Sequence, residues 1–308
     1  MELRRRFRFI TKTERCIFVT CCIIVIFLYF TMRVSYHQNP QVSRRGRPNE
    51  QLASSLVLQE RDMKSLPSMD PVLVHVRHVS NVLAYSLYGD DGRYTQGALI
   101  NAKLFKHIFP GWMMRVYHDN TVPPHILDSL ETAGVELHDM SGSDLNPMTW
   151  RFLAASNSSV NMFCSRDVDS RLTYREFLAV QEWERSEFPA HVIRDHPSHI
   201  YKRCAIPGGM WCAKHGLLAD MNLLINSHSR ASGYDLDQQF LKAVIWPKIH
   251  DKTLQHVSFH CRDHANYRLM IPRVGMEHVG AVYLDGELRE SDVKLLREGI
   301  SQGSECSL

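Results

Sequence analysis

Asp167 and Asp169 stand one residue apart at the end of an apolar run, Val160-Asn161-Met162-Phe163-Cys164-Ser165, with Arg166 before them and Arg171 behind. Two carboxylates on one turn repel each other unless a cation joins them, and a hard divalent ion such as Mn or Mg, which prefers oxygen ligands, suits the pair. The chemistry to expect is a metal ion set against a diphosphate. A solvated acidic turn is the plain alternative.

The elements that must position this pair are legible upstream. Residues 160–165 read as a strand that carries the acids to its tip. Residues 82–88 form a near-continuous apolar run closed by Gly89-Asp90-Asp91-Gly92, as expected of a strand buried on both faces, and residues 72–78 read as another strand. Residues 94–109 place Leu99, Ala102, Leu104, Phe105 and Ile108 at helical spacing and stop at Pro110-Gly111. The pattern repeats with a strand at 113–117, a helix at 123–133 ended by Gly134, and a strand at 135–140. Successive β-α-β units of this kind predict the α/β class, and they put the acidic pair at the carboxyl end of a strand, where open sheets bind ligands. A loop holds Trp150-Arg151-Phe152-Leu153. Beyond the pair, 174–186 reads as a helix and 190–193 as a short strand. Gly208-Gly209 then precedes the apolar Met210-Trp211-Cys212-Ala213; the glycines serve either close approach to a ligand or a tight bend. Residues 217–226 and 237–244 have helical patterns, and few signals follow Cys261 until the charged segment 287–299.

Composition narrows the function classes. Residues 1–48 hold ten Lys and Arg against two acidic residues, which leaves 26 basic and 31 acidic side chains in the rest of the 308-residue chain. That acidic remainder argues against a nucleic-acid surface, which needs concentrated positive charge. No charged residue occurs between Arg15 and Arg33. The apolar residues Cys16 to Met32 cover about 25 Å as a helix, the short end of a bilayer span. The exit Phe30-Thr31-Met32-Arg33-Val34 lacks a small-x-small cleavage site, so an uncleaved anchor is expected rather than a signal peptide. Basic residues before it place the N-terminus in the cytosol and everything after Arg33 in the lumen. The polar, proline-broken stretch 33–71 reads as a stem. Three of the eight cysteines lie in the apolar segment, leaving five; Cys204 with Cys212 is a possible local disulfide, and Cys164 reads as a small buried hydrophobe. Asn157-Ser158-Ser159 is a glycosylation sequon, consistent with a lumenal face.

In combination, Ser86-Leu87-Tyr88-Gly89, Arg93-Tyr94, Gly97, Asn101, Phe109-Pro110-Gly111-Trp112, Trp150-Arg151-Phe152-Leu153, Arg166-Asp167-Val168-Asp169-Ser170-Arg171, Arg194-Asp195-His196-Pro197 and Gly208-Gly209-Met210-Trp211 resemble the glycosyltransferases of the GT-A fold, in a little-characterised branch. The resemblance runs over roughly residues 82–264. It implies a Rossmann-like mixed sheet flanked by helices, with a catalytic domain at 72–270 and a C-terminal extension at 271–308. It also implies Mn or Mg held by Asp167 and Asp169 on the diphosphate of a nucleotide-sugar, with a glycan, protein or lipid as acceptor. Ser86, Tyr88, Gly89, Arg93 and Tyr94 would take the nucleotide, and Arg151, Arg166 and Arg171 would face the phosphates, although a salt bridge to a neighbouring acid serves any one of them equally. Gly208 and Gly209 would approach the donor. His256, or else His260, would supply a third metal ligand. Asp237, with Asp195 as second choice, would face sugar or acceptor and act as base if the reaction inverts. The compartment implied is the Golgi or endoplasmic reticulum, with single-pass type II topology and oligomerisation open. A metal-dependent phosphohydrolase and a non-catalytic lumenal binding protein are the competing classes. The first usually places its acids after the first strand, whereas about three strands precede Asp167.

Overall fold

The computed structural model describes residues 80–199, 205–228, 236–259, 261, 267–269 and 271–306. The chain divides into two units, Met1–Val74 and His75–Leu308, and the described residues belong to the second. The expected anchor at 16–32, the stem at 33–71, the strand at 72–78, Cys204 and His260 lie outside them. No helix among the described residues is long and apolar enough to cross a membrane.

The first strand, β1 (Ser80–Leu87), is followed by α1 (Gly92–Ile108), β2 (Trp112–His118), α2 (Pro124–Thr132) and β3 (Glu136–Asp139). A 3-10 helix over Pro147–Ser156 occupies the segment expected to be a loop and leads into β4 (Val160–Ser165). Then come α3 (Tyr174–Glu184), β5 (Ala190–Arg194), β6 (Trp211–Lys214), α4 (Met221–His228) and α5 (Leu236–Phe240). A π-helical segment over Leu241–Ile245 continues into α6 (Trp246–Ile249), and the sheet is completed by β7 (Thr253–Val257) and β8 (Tyr267–Arg268). A hairpin of β9 (Tyr283–Leu284) and β10 (Glu287–Leu288) precedes the last helix, α7 (Glu290–Ser301).

The eight-stranded sheet has the order β3-β2-β1-β4-β6-β5-β7-β8. Strands β1 to β4 run parallel, β6 is inserted antiparallel between β4 and β5, and β5, β7 and β8 are parallel again. The expected α/β class with a mixed, helix-flanked sheet is therefore found. Because the chain builds outward from β1 through β2 to β3 and then returns to place β4 on the other side of β1, a crevice opens beyond the carboxyl ends of β1 and β4.

Burial on both faces explains why residues 82–85 of β1 are continuously apolar. Val82 and Ala84 enter the core on one face, with Phe152, Met221, Phe240 and Ile249, whereas Leu83, Tyr85 and Leu87 enter the other, with Phe105, Leu130 and Trp183. Helix α1 starts where Asp91 accepts a hydrogen bond from the Arg93 N–H at 2.8 Å, and α3 starts where the Thr173 hydroxyl accepts from the Glu176 N–H at 3.1 Å.

Candidate active site

The crevice holds a cavity of about 340 Å³ lined from the end of β1 by Ser86 and Leu87, with Tyr88 just after it, from α1 by Arg93 and Tyr94, and from the 3-10 helix by Met148 and Arg151. Asp167, Val168 and Asp169 line it from the turn after β4, Asp237 and Gln238 from α5, and Val282 and Arg289 from the C-terminal hairpin. Sequence separation of nearly the whole domain is thus collapsed into one wall.

Strand β4 ends because its last residue is captured: the Ser165 hydroxyl donates to the Gly208 carbonyl at 2.6 Å, and the Arg166 N–H donates to the Ala84 carbonyl at 3.0 Å. The turn that follows is held from α1. Asn101, 1% exposed, donates its side-chain amide to the carbonyls of Ser170 (2.8 Å) and Val168 (3.3 Å) and accepts from the Leu172 N–H at 3.2 Å. The Tyr283 N–H donates to the Asp169 carbonyl at 2.9 Å, so the C-terminal hairpin is hydrogen-bonded directly to the acidic turn.

Each cavity acid has an arginine. Arg93 pairs with Asp169, and Arg151 pairs through one amino group with Asp167 and through the other with Asp237 at 2.8 Å. The Arg151 backbone N–H is in turn fixed by the Ser86 hydroxyl oxygen at 3.1 Å. Burial pushes the Asp169 carboxyl above its ordinary value and the Asp167 charge adds to this, against the pull of Arg93. Asp237 is raised for the same first reason, and Arg151 opposes it. The Asp167 side chain is 39% exposed, so it presents the cavity with an accessible carboxylate. Tyr88 stands edge-on to Trp150 with ring centroids 6.1 Å apart, and the Arg93 guanidinium lies over the Tyr94 ring at 5.1 Å.

Of the two glycines, Gly209 is packed on Asp167: a Cβ there would overlap the carboxylate and lie 2.8 Å from the Asp167 backbone nitrogen. A Cβ on Gly208 would meet Arg151 Nη2 and Asp237 Oδ2, both at 2.9 Å. Both glycines serve close approach, of which Gly209's is to the acidic turn itself. Gly89 lies just outside the lining, its N–H donating to the Thr121 hydroxyl at 2.6 Å.

Four expected residues are elsewhere. Arg166, 2% exposed, points into the core, where it pairs with Glu176 and donates to the Ser165 carbonyl at 2.7 Å; it does not face the cavity. The Arg171 guanidinium covers the Tyr283 ring at 4.7 Å. Asp195 is fully buried, its oxygens taken by Arg175 (2.8 and 2.9 Å), Arg273 (2.9 Å), the Ser258 hydroxyl (2.5 Å) and the Val279 N–H (2.9 Å), which leaves nothing to offer a sugar. His256 lies on β7 between His191 at 2.7 Å and Glu182 at 3.0 Å, so it does not join Asp167 and Asp169 as a ligand. The expected Cys204–Cys212 pairing is also replaced. Cys164 and Cys212 are register partners on β4 and β6 with Cα atoms 4.0 Å apart, and they form a disulfide, as do Cys261 and Cys306.

Sequence reasoning missed Met148, Val282 and Arg289. A signal for the last two existed: Asp285-Gly286, both at positive φ (51° and 89°), is a two-residue hairpin turn flanked by short strand runs. It brings Val282 and Arg289 together at the hairpin base, where the Arg289 N–H donates to the Val282 carbonyl at 2.9 Å.

The donor chemistry of the cavity fits a hard divalent cation. Asp167 and Asp169 carry carboxylate oxygens on one turn, and their mutual repulsion would be relieved by positive charge. Among the described residues no cluster of three His, Cys, Asp or Glu side chains stands at metal-binding spacing, so a bound ion would complete its shell with ligand and water oxygens.

No family model and no curated protein matches the chain. Among solved structures it is similar to glucosyl-3-phosphoglycerate synthase from Mycobacterium tuberculosis in complex with Mn2+, UDP-glucose and phosphoglyceric acid, at 12% identity over 62% of this chain and 74% of that one, with a TM-score of 0.39. It is also similar to 4-diphosphocytidyl-2C-methyl-D-erythritol synthase from Anaerococcus prevotii, at 10% identity over 59% of this chain and 87% of that one, with a TM-score of 0.40. Fold and site together define an α/β protein with an acidic, arginine-braced cleft at the switch point of its sheet.

Proposed function

We propose that the protein is a metal-dependent glycosyltransferase of the GT-A type that moves a sugar from a nucleotide-diphosphate donor to a glycan, protein or lipid acceptor. The observation that carries this reading is the joining of Asp167 and Asp169 with Tyr88 and Tyr94 in one cavity. The acids suit the diphosphate end of a donor, and the tyrosines, Tyr94 with one face under Arg93, would offer aromatic surface to its base. A divalent ion held by Asp167 and Asp169 would screen the leaving diphosphate as its charge builds. Arg93 and Arg151 supply further positive charge beside it. Asp237, with its carboxyl raised by burial, would take a proton from an acceptor hydroxyl if the reaction inverts.

The reaction belongs, in this reading, to the lumen of the Golgi or endoplasmic reticulum, with residues 16–32 as a type II anchor and 33–71 as stem. The uncharged stretch between Arg15 and Arg33 supports the anchor, and the Cys164–Cys212 and Cys261–Cys306 disulfides suit an oxidising compartment.

A panel of nucleotide-sugars incubated with the full chain and Mn tests the proposal. Donor hydrolysis that is lost in Asp167→Asn and Asp169→Asn is expected. Metal-independent turnover would sink it, and release of phosphate from simple phosphomonoesters would replace it with a phosphohydrolase.

A further inference from the structure

Each of the cavity acids is already ion-paired to one of two arginines. Arg93 occupies Asp169, and Arg151 bridges Asp167 and Asp237. Arg151 is only 7% exposed and its Nε has no partner among the described residues, so its buried charge depends on those two carboxylates. Arg289 also lines the cavity but pairs with none of these acids, its Nε being committed to Asp292 at 2.9 Å.

We propose that loading of the site is an exchange of ionic partners. A divalent cation takes the carboxylates of Asp167 and Asp169, and the released Arg93 and Arg151 turn to the diphosphate. This rests on the donor site proposed above and adds an order to it: cation and diphosphate bind as a coupled pair, neither well alone. Three carboxylates share the two exchanging arginines, while the third lining arginine, Arg289, is paired with Asp292 outside the lining. A cation alone would strip Arg93 of its counter-charge and leave Arg151 with Asp237 only. A diphosphate alone would meet acids still facing the cavity. Each ligand removes the electrostatic penalty of the other, and the resulting coupling is reciprocal.

The two arginines differ in the freedom they have to move. The Arg93 side chain is 31% exposed at the start of α1, whereas that of Arg151 is 8% exposed and holds two acids at once. Arg93 is therefore the part of the latch that can be removed without opening the core. Its loss has effects of opposite sign on the two ligands. Asp169 without its arginine is a better cation ligand, and the diphosphate has lost one of its cations.

Calorimetry on the full chain tests this with Mn2+ and inorganic pyrophosphate as probes, the association of the two in protein-free buffer being measured and subtracted. In the wild type each probe should tighten the other by about tenfold or more, within the usual range of coupling between sites. In Arg93→Gln, Mn2+ alone should bind several-fold tighter and pyrophosphate in the presence of Mn2+ several-fold weaker, with Arg93→Lys between the two. A thermal melt checks that the variants fold, and the wild-type coupling stands as a measurement without them. Independent binding of the two probes, or an Arg93→Gln change of the same sign for both, overturns the exchange while leaving the donor site in place. Absence of binding by either probe in any combination overturns both.

Discussion

The Asn101 side-chain amide donates to the Ser170 carbonyl at 2.8 Å, a bond from the middle of α1 to the turn that carries Asp167 and Asp169. With its contacts to Val168 and Leu172, one buried residue ties three backbone groups of that turn. The acidic pair is thus positioned by a helix about seventy residues before it.

Removing this tie should loosen the turn more than the fold. Asn101→Ala leaves buried backbone groups without partners, at a cost of about 1–3 kcal/mol. The expected outcome is a lower Tm together with weaker binding of the Mn–pyrophosphate complex, read by calorimetry below the melting range. Unchanged affinity in a folded variant would show that the turn holds its shape without Asn101.

Gly209 makes a second prediction. The methyl group of Gly209→Ala must displace the Asp167 carboxylate or the backbone behind it, a strain of about 1–3 kcal/mol. Cation binding should fall severalfold or more while the secondary structure, followed by circular dichroism, is retained. The same change at exposed Gly142, where a Cβ meets nothing within 4 Å but the backbone is at φ 81°, strains the chain away from Asp167 and is the control for a general loss of stability.

Acid stability should be governed away from the cavity. His278 is 3% exposed, and burial together with the neighbouring His196 pushes its ring down to about 4. The unfolded chain takes up that proton near pH 6.5, so the stability this residue contributes is present above pH 6.5 and is lost between 6.5 and about 4, roughly 3 kcal/mol in all. Asp195 has the other sense of shift. Burial alone would raise it, but hydrogen bonds and charge from Arg175, with Arg273 and Ser258, hold it at about 2. Its contribution is present above the usual carboxylate range and fades as pH falls from about 4 toward 2. Melts taken from pH 8 down to 4 should show falling Tm, with a shallower slope in His278→Gln; a flat profile would be contrary. Asp195→Asn should cost about 3–5 kcal/mol by leaving Arg175 without its acid, Arg273 keeping Glu305, and it should spare ligand affinity in the folded fraction.

What the sequence determined by itself was local. A run alternating between two cores read as a strand at 82–88, a 3.6-residue period read as a helix at 94–109, and the acidic pair stood where a strand had to end. These patterns are written in neighbouring residues, because backbone geometry fixes the period at which side chains share a face. Which distant groups would meet was decided only by the tertiary structure. Asp195 and Asp237 are alike as sequence, yet one is consumed by two arginines in the core and the other faces the cavity. Insertion of β6 antiparallel beside β4 put Cys164 opposite Cys212, and β7 carried His256 to Glu182 rather than to Asp167. The acidic turn is therefore braced by Asn101, Gly209, Arg93, Arg151 and the hairpin around Asp285-Gly286, because strand order and register, which are long-range choices of packing, select a side chain's partners.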